Sequence, residues 1–191
     1  ETPAESALFA EHPQLLADPM IIHFLTDYLR LMVSGNMSAH EIDELMLHEI
    51  ESFEHEAQLP ADALTKVSDG LPAFGIVAAV MGVVKTLAAS ADAPPGVMGE
   101  MIAHALVGTF LGILLAYGFV APLASRITRQ VAEAVKMLQC LRVTLLASIN
   151  GYAPQIAVEF GRKALDTVER PTAAELEEHV RNHKPAAAGG A

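Results

Sequence analysis

The chain has 191 residues, is 52% hydrophobic with a mean hydropathy of +0.34, and carries a net charge of -11. That charge argues against a nucleic-acid partner, and a single cysteine, Cys140, excludes an intrachain disulfide. The apolar residues are not evenly spread. Two stretches are almost free of charge, while the flanks hold nearly all of it.

The chain begins ETPAESALFAEHPQ, with no basic segment leading into an apolar core, so no signal peptide is read there. Because Glu1 is not a methionine, the chain reads as a fragment or a processed product. The first helix is predicted to open at Asp18, a side chain able to cap free backbone N–H groups, with Pro19 at the first helical position. Met20, Ile21, Phe24, Leu25, Tyr28, Leu29, Met32 and Val33 then recur at helical spacing until Gly35-Asn36. Ser38 and Glu41 form a capping box for a second helix carrying Ile42, Leu45, Met46, Glu49, Ile50 and Phe53, and Pro60 is expected to close it. Its polar face holds seven acids between Glu41 and Glu56. His40, Glu44 and His48 share that face, with Glu51 and His55 beyond; such neighbours arise readily by chance, and no metal site is assigned.

The first apolar stretch runs from Gly70 to Ala89, with Pro72 at its start and Lys85 near its end, where a lysine can snorkel to an interface. The second, Met101 to Ala124, has no Asp, Glu, Lys or Arg over 24 residues. At a rise of about 1.5 Å per residue that is enough to cross a bilayer core of about 30 Å. Between them the loop Ser90 to Glu100 carries Asp92, Glu100 and Pro94-Pro95-Gly96, and no basic residue. Arg126 and Arg129 follow the second stretch directly, and nine of the twelve basic residues lie from Arg126 to Lys184. The positive-inside rule then leaves the loop outside and both flanks in the cytoplasm.

Small residues mark the spans as close-packing surfaces: Gly75 with Ala79, Ala78 with Gly82, and Gly108 with Gly112. Pro72 and Pro122 fall near the cytoplasmic ends of antiparallel spans, at what reads as one depth; Pro72 reads as a first-turn proline or a kink and Pro122 as a kink, and two kinks there would make a hinge. Thr109 reads either as a hydroxyl bonded back to its own helix or as a group facing an ion path. His104 lies one turn inside the outer interface, and Tyr117 reads as a packing residue. Neither apolar stretch, Gly70–Ala89 or Met101–Ala124, contains a carboxylate, although Asp69 and Glu100 border them. Ion flow through the membrane normally needs one, so a partner would have to provide it.

After the second span Ile127, Val131, Val135, Leu138, Leu141, Leu145 and Ile149 continue the helical period into an amphipathic arm. Asn150-Gly151 and Pro154 break it, a helix is expected from about Gln155 to Val168, and Thr172 with Glu175 opens a last short one. The reading is all-α: a cytoplasmic helical segment over 1–68, spans over 69–89 and 101–124 joined by the loop 90–100, a second cytoplasmic segment over 125–184, and a disordered tail over 185–191. There is no strand pattern, no repeat, no Gly-rich phosphate loop and no nucleophile–base constellation, so an enzyme has no support.

LPAFGIVAAVMGVV (Leu71 to Val84), IAHALVGTFLGILLAYGF (Ile102 to Phe119), NGYAPQIAVEFGRKAL (Asn150 to Leu165), ERPTAAELEEHVR (Glu169 to Arg181) and DYLRLMVSGNM (Asp27 to Met37) resemble the MotA/TolQ/ExbB proton-channel family. The resemblance covers nearly the whole chain and favours the flagellar stator branch over TolQ or ExbB. It implies a four-span, multi-pass protein of the bacterial inner membrane, with this chain holding the third and fourth spans. It further implies a homo-oligomeric ring, a pentamer, around MotB, which supplies the proton-binding aspartate, and torque delivered to the rotor protein FliG. No cofactor is implied; the proton is cargo. By position, Pro72 and Pro122 match the family's coupling prolines and Thr109 its path-lining threonine. Ala79 stands where sodium-driven relatives tend to carry a hydroxyl, which favours protons. Glu49 is the candidate rotor-facing charge. An ExbB/TolQ-type energiser and a non-conducting membrane scaffold are the alternatives.

Overall fold

The computed structural model describes residue 9, residues 13–89, residue 91 and residues 94–182; the expected tail over 185–191 lies outside them. The described residues form α1 (Pro13–Leu16), α2 (Pro19–Ser34), α3 (Ala39–Ala89), α4 (Pro95–Leu115), a π-turn (Ala116–Val120), α5 (Ala121–Ile149), α6 (Pro154–Ala164) and α7 (Ala173–Asn182), with no strand among them. The chain is all-helical, with two continuous helical stretches, Ala39–Ala89 and Pro95–Ile149, that are long and apolar enough to cross a membrane.

The predicted caps form. Asp18 Oδ1 accepts the backbone N–H groups of Met20 and Ile21 at 3.0 and 3.3 Å, and Gly35 ends α2 in the left-handed region at φ 66°. Both capping boxes close, Ser38 with Glu41 and Thr172 with Glu175. The backbone N–H and the hydroxyl that each carboxylate accepts hold Glu41 and Glu175 below the usual carboxylate range.

Three boundaries differ from expectation. Pro60 does not end a helix, because α3 runs through both Pro60 and Pro72. Ala61, immediately after Pro60, is buried, so packing overrides the loss of one backbone hydrogen bond. The second apolar helix begins at Pro95 rather than near Met101, because Pro94 supplies an extended residue and Pro95 a ready-made first turn. Helix α6 stops at Ala164 rather than near Val168, where Leu165 turns to extended backbone at ψ 149°. Two arginines hold the segment that follows. Arg162 grips both oxygens of Glu159 at 2.6 Å and donates to the Pro171 carbonyl at 2.9 Å, while Arg170 donates to the Leu165 carbonyl at 2.7 Å.

The chain divides into two compact units, one from Glu1–Glu54 with Glu133–Ala191, the other from His55–Ala132. In the first, Phe24 and Tyr28 of α2, Ile42, Met46 and Ile50 of α3, and Val135, Leu138 and Leu145 of α5 form the core. The three α3 residues are spaced by four, which places them on one stripe. Helix α6 packs tightly on α5: a Cβ at Gly161 would run into the Thr144 hydroxyl. Arg142 donates to Asp43 at 2.7 Å, with both side chains about one-fifth exposed. Arg142→Ala leaves that carboxylate without its charged donor. The expected loss is about 1.5–3 kcal/mol, the range for a hydrogen bond to a charged group. It is read as a lower melting temperature of the purified full-length protein, partly recovered by pairing Arg142→Gln with Asp43→Asn.

The second unit is an antiparallel hairpin. On α3, Ala61, Ser68, Gly75 and Gly82 recur every seven residues along its inner face. Opposite them stand Ala105, Gly112, Ala116, Ala124 and Val131. The seam is built almost wholly from small residues, so the two backbones lie close together.

Candidate functional site

At the middle of the hairpin, Gly75 faces Gly108 and Gly112. A Cβ added at Gly75 would sit 2.8 Å from the Gly108 carbonyl oxygen, and one at Gly112 would sit 2.7 Å from the Leu71 carbonyl oxygen. A Cβ at Gly108 would meet the Ala78 methyl at 2.9 Å, with the Ala79 backbone nitrogen behind it, and Gly82 is in equally close contact with Ala105. All the small residues singled out in the spans therefore lie at or beside one contact. The Thr109 hydroxyl donates across this contact to the Gly75 carbonyl at 3.4 Å, a long bond, rather than back to its own helix.

The loop end of the hairpin carries a groove of about 350 Å³ lined by Ala78, Gly82, Lys85, Thr86, His104 and Gly108. The polar groups there turn to their own helices. The buried Thr86 hydroxyl donates to the Gly82 carbonyl at 2.9 Å, and His104 Nδ1 lies 2.8 Å from the Glu100 carbonyl oxygen.

The proline region departs from expectation in two ways. Pro72 and Pro122 do not share a depth. The Ser68 hydroxyl donates to the Ala116 carbonyl at 3.1 Å, which fixes those two residues at one level. Pro72 lies four residues beyond that level toward the loop end and Pro122 six residues beyond it the other way. The prolines are thus about 15 Å apart along the hairpin. Each proline withholds an N–H from the carbonyl four residues earlier, so the two orphaned carbonyls, of Ser68 and Gly118, lie within two residues of the Ser68–Ala116 level while the weakened turns run from it in opposite directions.

The second departure is the five-residue π-turn before Pro122, which no periodicity had signalled. There the Ala121 N–H reaches back five residues to the Ala116 carbonyl. The turn also re-phases the seam. Three α-helical turns take about 11 residues, but the buried positions Gly112 and Ala124 are twelve apart. The inserted residue of a π-turn makes up the difference, so Ala124 and Val131, not Leu123 and Gln130, face the seam.

In the first unit, Glu49 is exposed but engaged. The buried Tyr28 hydroxyl donates to its carboxylate at 2.6 Å, and burial together with that neighbouring charge pushes the tyrosine pKa up. Among the described residues no group of three His, Cys, Asp or Glu side chains is arranged to hold a metal ion.

The outward faces of both spans are apolar. Phe74 is 74% exposed and Phe110 and Phe119 are 64% exposed, with Val77, Val80, Met81, Leu106 and Leu114 between them. A face of this extent is stable only against lipid or other helices. Residues 17–140 match the MotA/TolQ/ExbB proton channel family. The chain belongs to that family. It is 60% identical over 181 residues to Motility protein A of Salmonella typhimurium, an alignment covering 95% of this chain and 61% of that protein. It is 37% identical over 177 residues to the chemotaxis protein LafT of Vibrio parahaemolyticus, covering 93% of this chain and 62% of that protein. Its fold matches the structure of the flagellar MotAB stator complex from Bacillus subtilis with a TM-score of 0.67 at 27% identity, over 84% of this chain and 58% of the other. The chain therefore spans about three-fifths of the length of these relatives. MotA/TolQ/ExbB proteins are membrane channel proteins rather than enzymes, and the apolar faces of the hairpin are its membrane-facing surfaces.

Proposed function

We propose that the chain is the ion-path and coupling portion of a MotA-type stator subunit, which with MotB forms a proton-conducting complex that turns the flagellar rotor. The observation that carries this reading is a hairpin closed by glycine and alanine, with Thr109 on its seam and no carboxylate within Gly70–Ala89 or Met101–Ala124. Such a hairpin forms one wall of a path and leaves the proton-binding aspartate to MotB. Copies of the chain, five in this proposal, surround the MotB helices. The spans sit in the bacterial inner membrane with the short loop in the periplasm and both flanks in the cytoplasm, where Glu49 is the candidate charge facing FliG. Ala79 brings no hydroxyl to the path, which supports protons as the driving ion.

Energy supports coupling through the weakened turns. One proton crossing 100 mV releases about 2.3 kcal/mol, enough to shift a two-state equilibrium about fiftyfold. In a strain lacking its own stator, the full-length protein with MotB is expected to restore swimming. A growth-slowing proton leak should appear on co-expression and disappear when the partner's aspartate is replaced. Growth and motility indifferent to that aspartate would sink the reading in favour of a scaffold.

A further inference from the structure

We propose that Ser68 is a positioning residue of the coupling hinge: its hydroxyl clasps the two proline-weakened turns together and holds the second in its π form. This rests on the proposed stator function and names a part of it. Pro72 has no N–H to give the Ser68 carbonyl, and Pro122 has none to give the Gly118 carbonyl within the π-turn. The first helix is therefore softened at the level where Ser68 and Ala116 meet, and the second beginning two residues past it.

Ser68 is only 2% exposed and Ala116 is fully buried, in a seam made mostly of glycine and alanine. A hydroxyl buried in such surroundings needs an acceptor. It takes one on the opposite helix, the Ala116 carbonyl at 3.1 Å, rather than a carbonyl of its own helix as Thr65 and Thr86 do. That same carbonyl accepts the Ala121 N–H that defines the π-turn. The clasp thus sits on the atom where the register of the second helix is set. Its effect reaches farther than its own level, because the π-turn decides whether Ala124 or Leu123 enters the seam below. Ser68 touches no ion in this account and acts through the helix that carries Pro122.

The test uses the full-length protein with MotB in lipid, comparing Ser68→Ala and Ser68→Cys with the parent. Assembly is followed by co-purification, motility by swimming speed, and the Ala116 carbonyl by its ¹³C solid-state NMR shift. Both variants are expected to assemble. The ratio of π to α form at this turn should fall about fivefold in Ser68→Ala, as for the loss of one ordinary hydrogen bond, with a matching carbonyl shift and slower swimming. Ser68→Cys, similar in volume but a weaker donor, should fall between; it carries the comparison if Ser68→Ala does not assemble. Two results would overturn the clasp: parental swimming in Ser68→Ala, or equal losses in both variants with an unmoved Ala116 signal, which would reduce Ser68 to packing. Neither touches the stator reading, which fails instead if the parent protein does not drive swimming at all.

Discussion

Replacing Gly112 by valine is expected to abolish accumulation of the assembled complex in the membrane, and with it all motility. A Cβ at Gly112 would lie 2.7 Å from the Leu71 carbonyl oxygen and 3.1 Å from the Gly75 Cα. Both obstacles are backbone, so no side chain can swing aside, and two further methyls add to the collision. Overpacking a close contact costs about 1–3 kcal/mol where neighbours can yield; here the helices themselves must separate. Separation would also break the Thr109 and Ser68 bonds across the seam. The control is Gly99→Ala, in α4 with nothing within 4 Å of the added methyl. It should accumulate like the parent or better, since alanine favours a helix over glycine by about 1 kcal/mol. Native gel electrophoresis of solubilised membranes reads both. A normal complex in Gly112→Val would show that the seam is not the contact that holds the hairpin.

Pro122→Ala is expected to do the opposite: to leave the complex intact and stop the motor. Alanine restores an N–H aimed at the Gly118 carbonyl and removes the ring that crowds that turn, which favours a regular α-helix by about 3 kcal/mol. That exceeds the about 2.3 kcal/mol which one proton supplies at 100 mV, so a hinge at this turn would no longer be driven. A regular turn would also bring Leu123 rather than Ala124 toward the seam, a second obstacle to motion. Pro72→Ala stiffens the facing turn and should impair swimming in the same way. Swimming speed with co-purification of MotB separates lost coupling from lost assembly. Normal swimming in both variants would remove the hinge.

The helix ends of this chain were legible because they depend on neighbours in sequence. Asp18 with Pro19, Gly35, Ser38 with Glu41, and Thr172 with Glu175 satisfy backbone groups within about one turn of themselves, and they act in the folded protein as their spacing implies. The apolar spans were legible for a related reason: a bilayer imposes a length and a composition on any segment that crosses it. The small-residue pairs Gly75, Ala78, Gly82, Gly108 and Gly112 could be named from spacing alone, because close helix contact in lipid demands small side chains. The arginine grip on the segment after α6 could not. Arg162 and Arg170 find their acceptors on a folded loop, and a loop has no period to read.

Prolines were where local reading failed. Pro60 looked like a stop and is passed through, since burial of Ala61 outweighs one missing hydrogen bond. Pro72 and Pro122 looked level because each sits near the same end of its own apolar stretch. Their depths in fact differ by about ten residues, because the register between two antiparallel helices is set by which glycine meets which. The sequence by itself determined the helical class, the two spans, their caps and the absence of a carboxylate, all properties of composition and short spacing. Only the packed hairpin decided the register, the π-turn and the bond from Ser68 to Ala116. The register and the Ser68 bond join residues some thirty to fifty apart in the chain, where no local pattern carries information and only the close approach of two backbones selects the pairing.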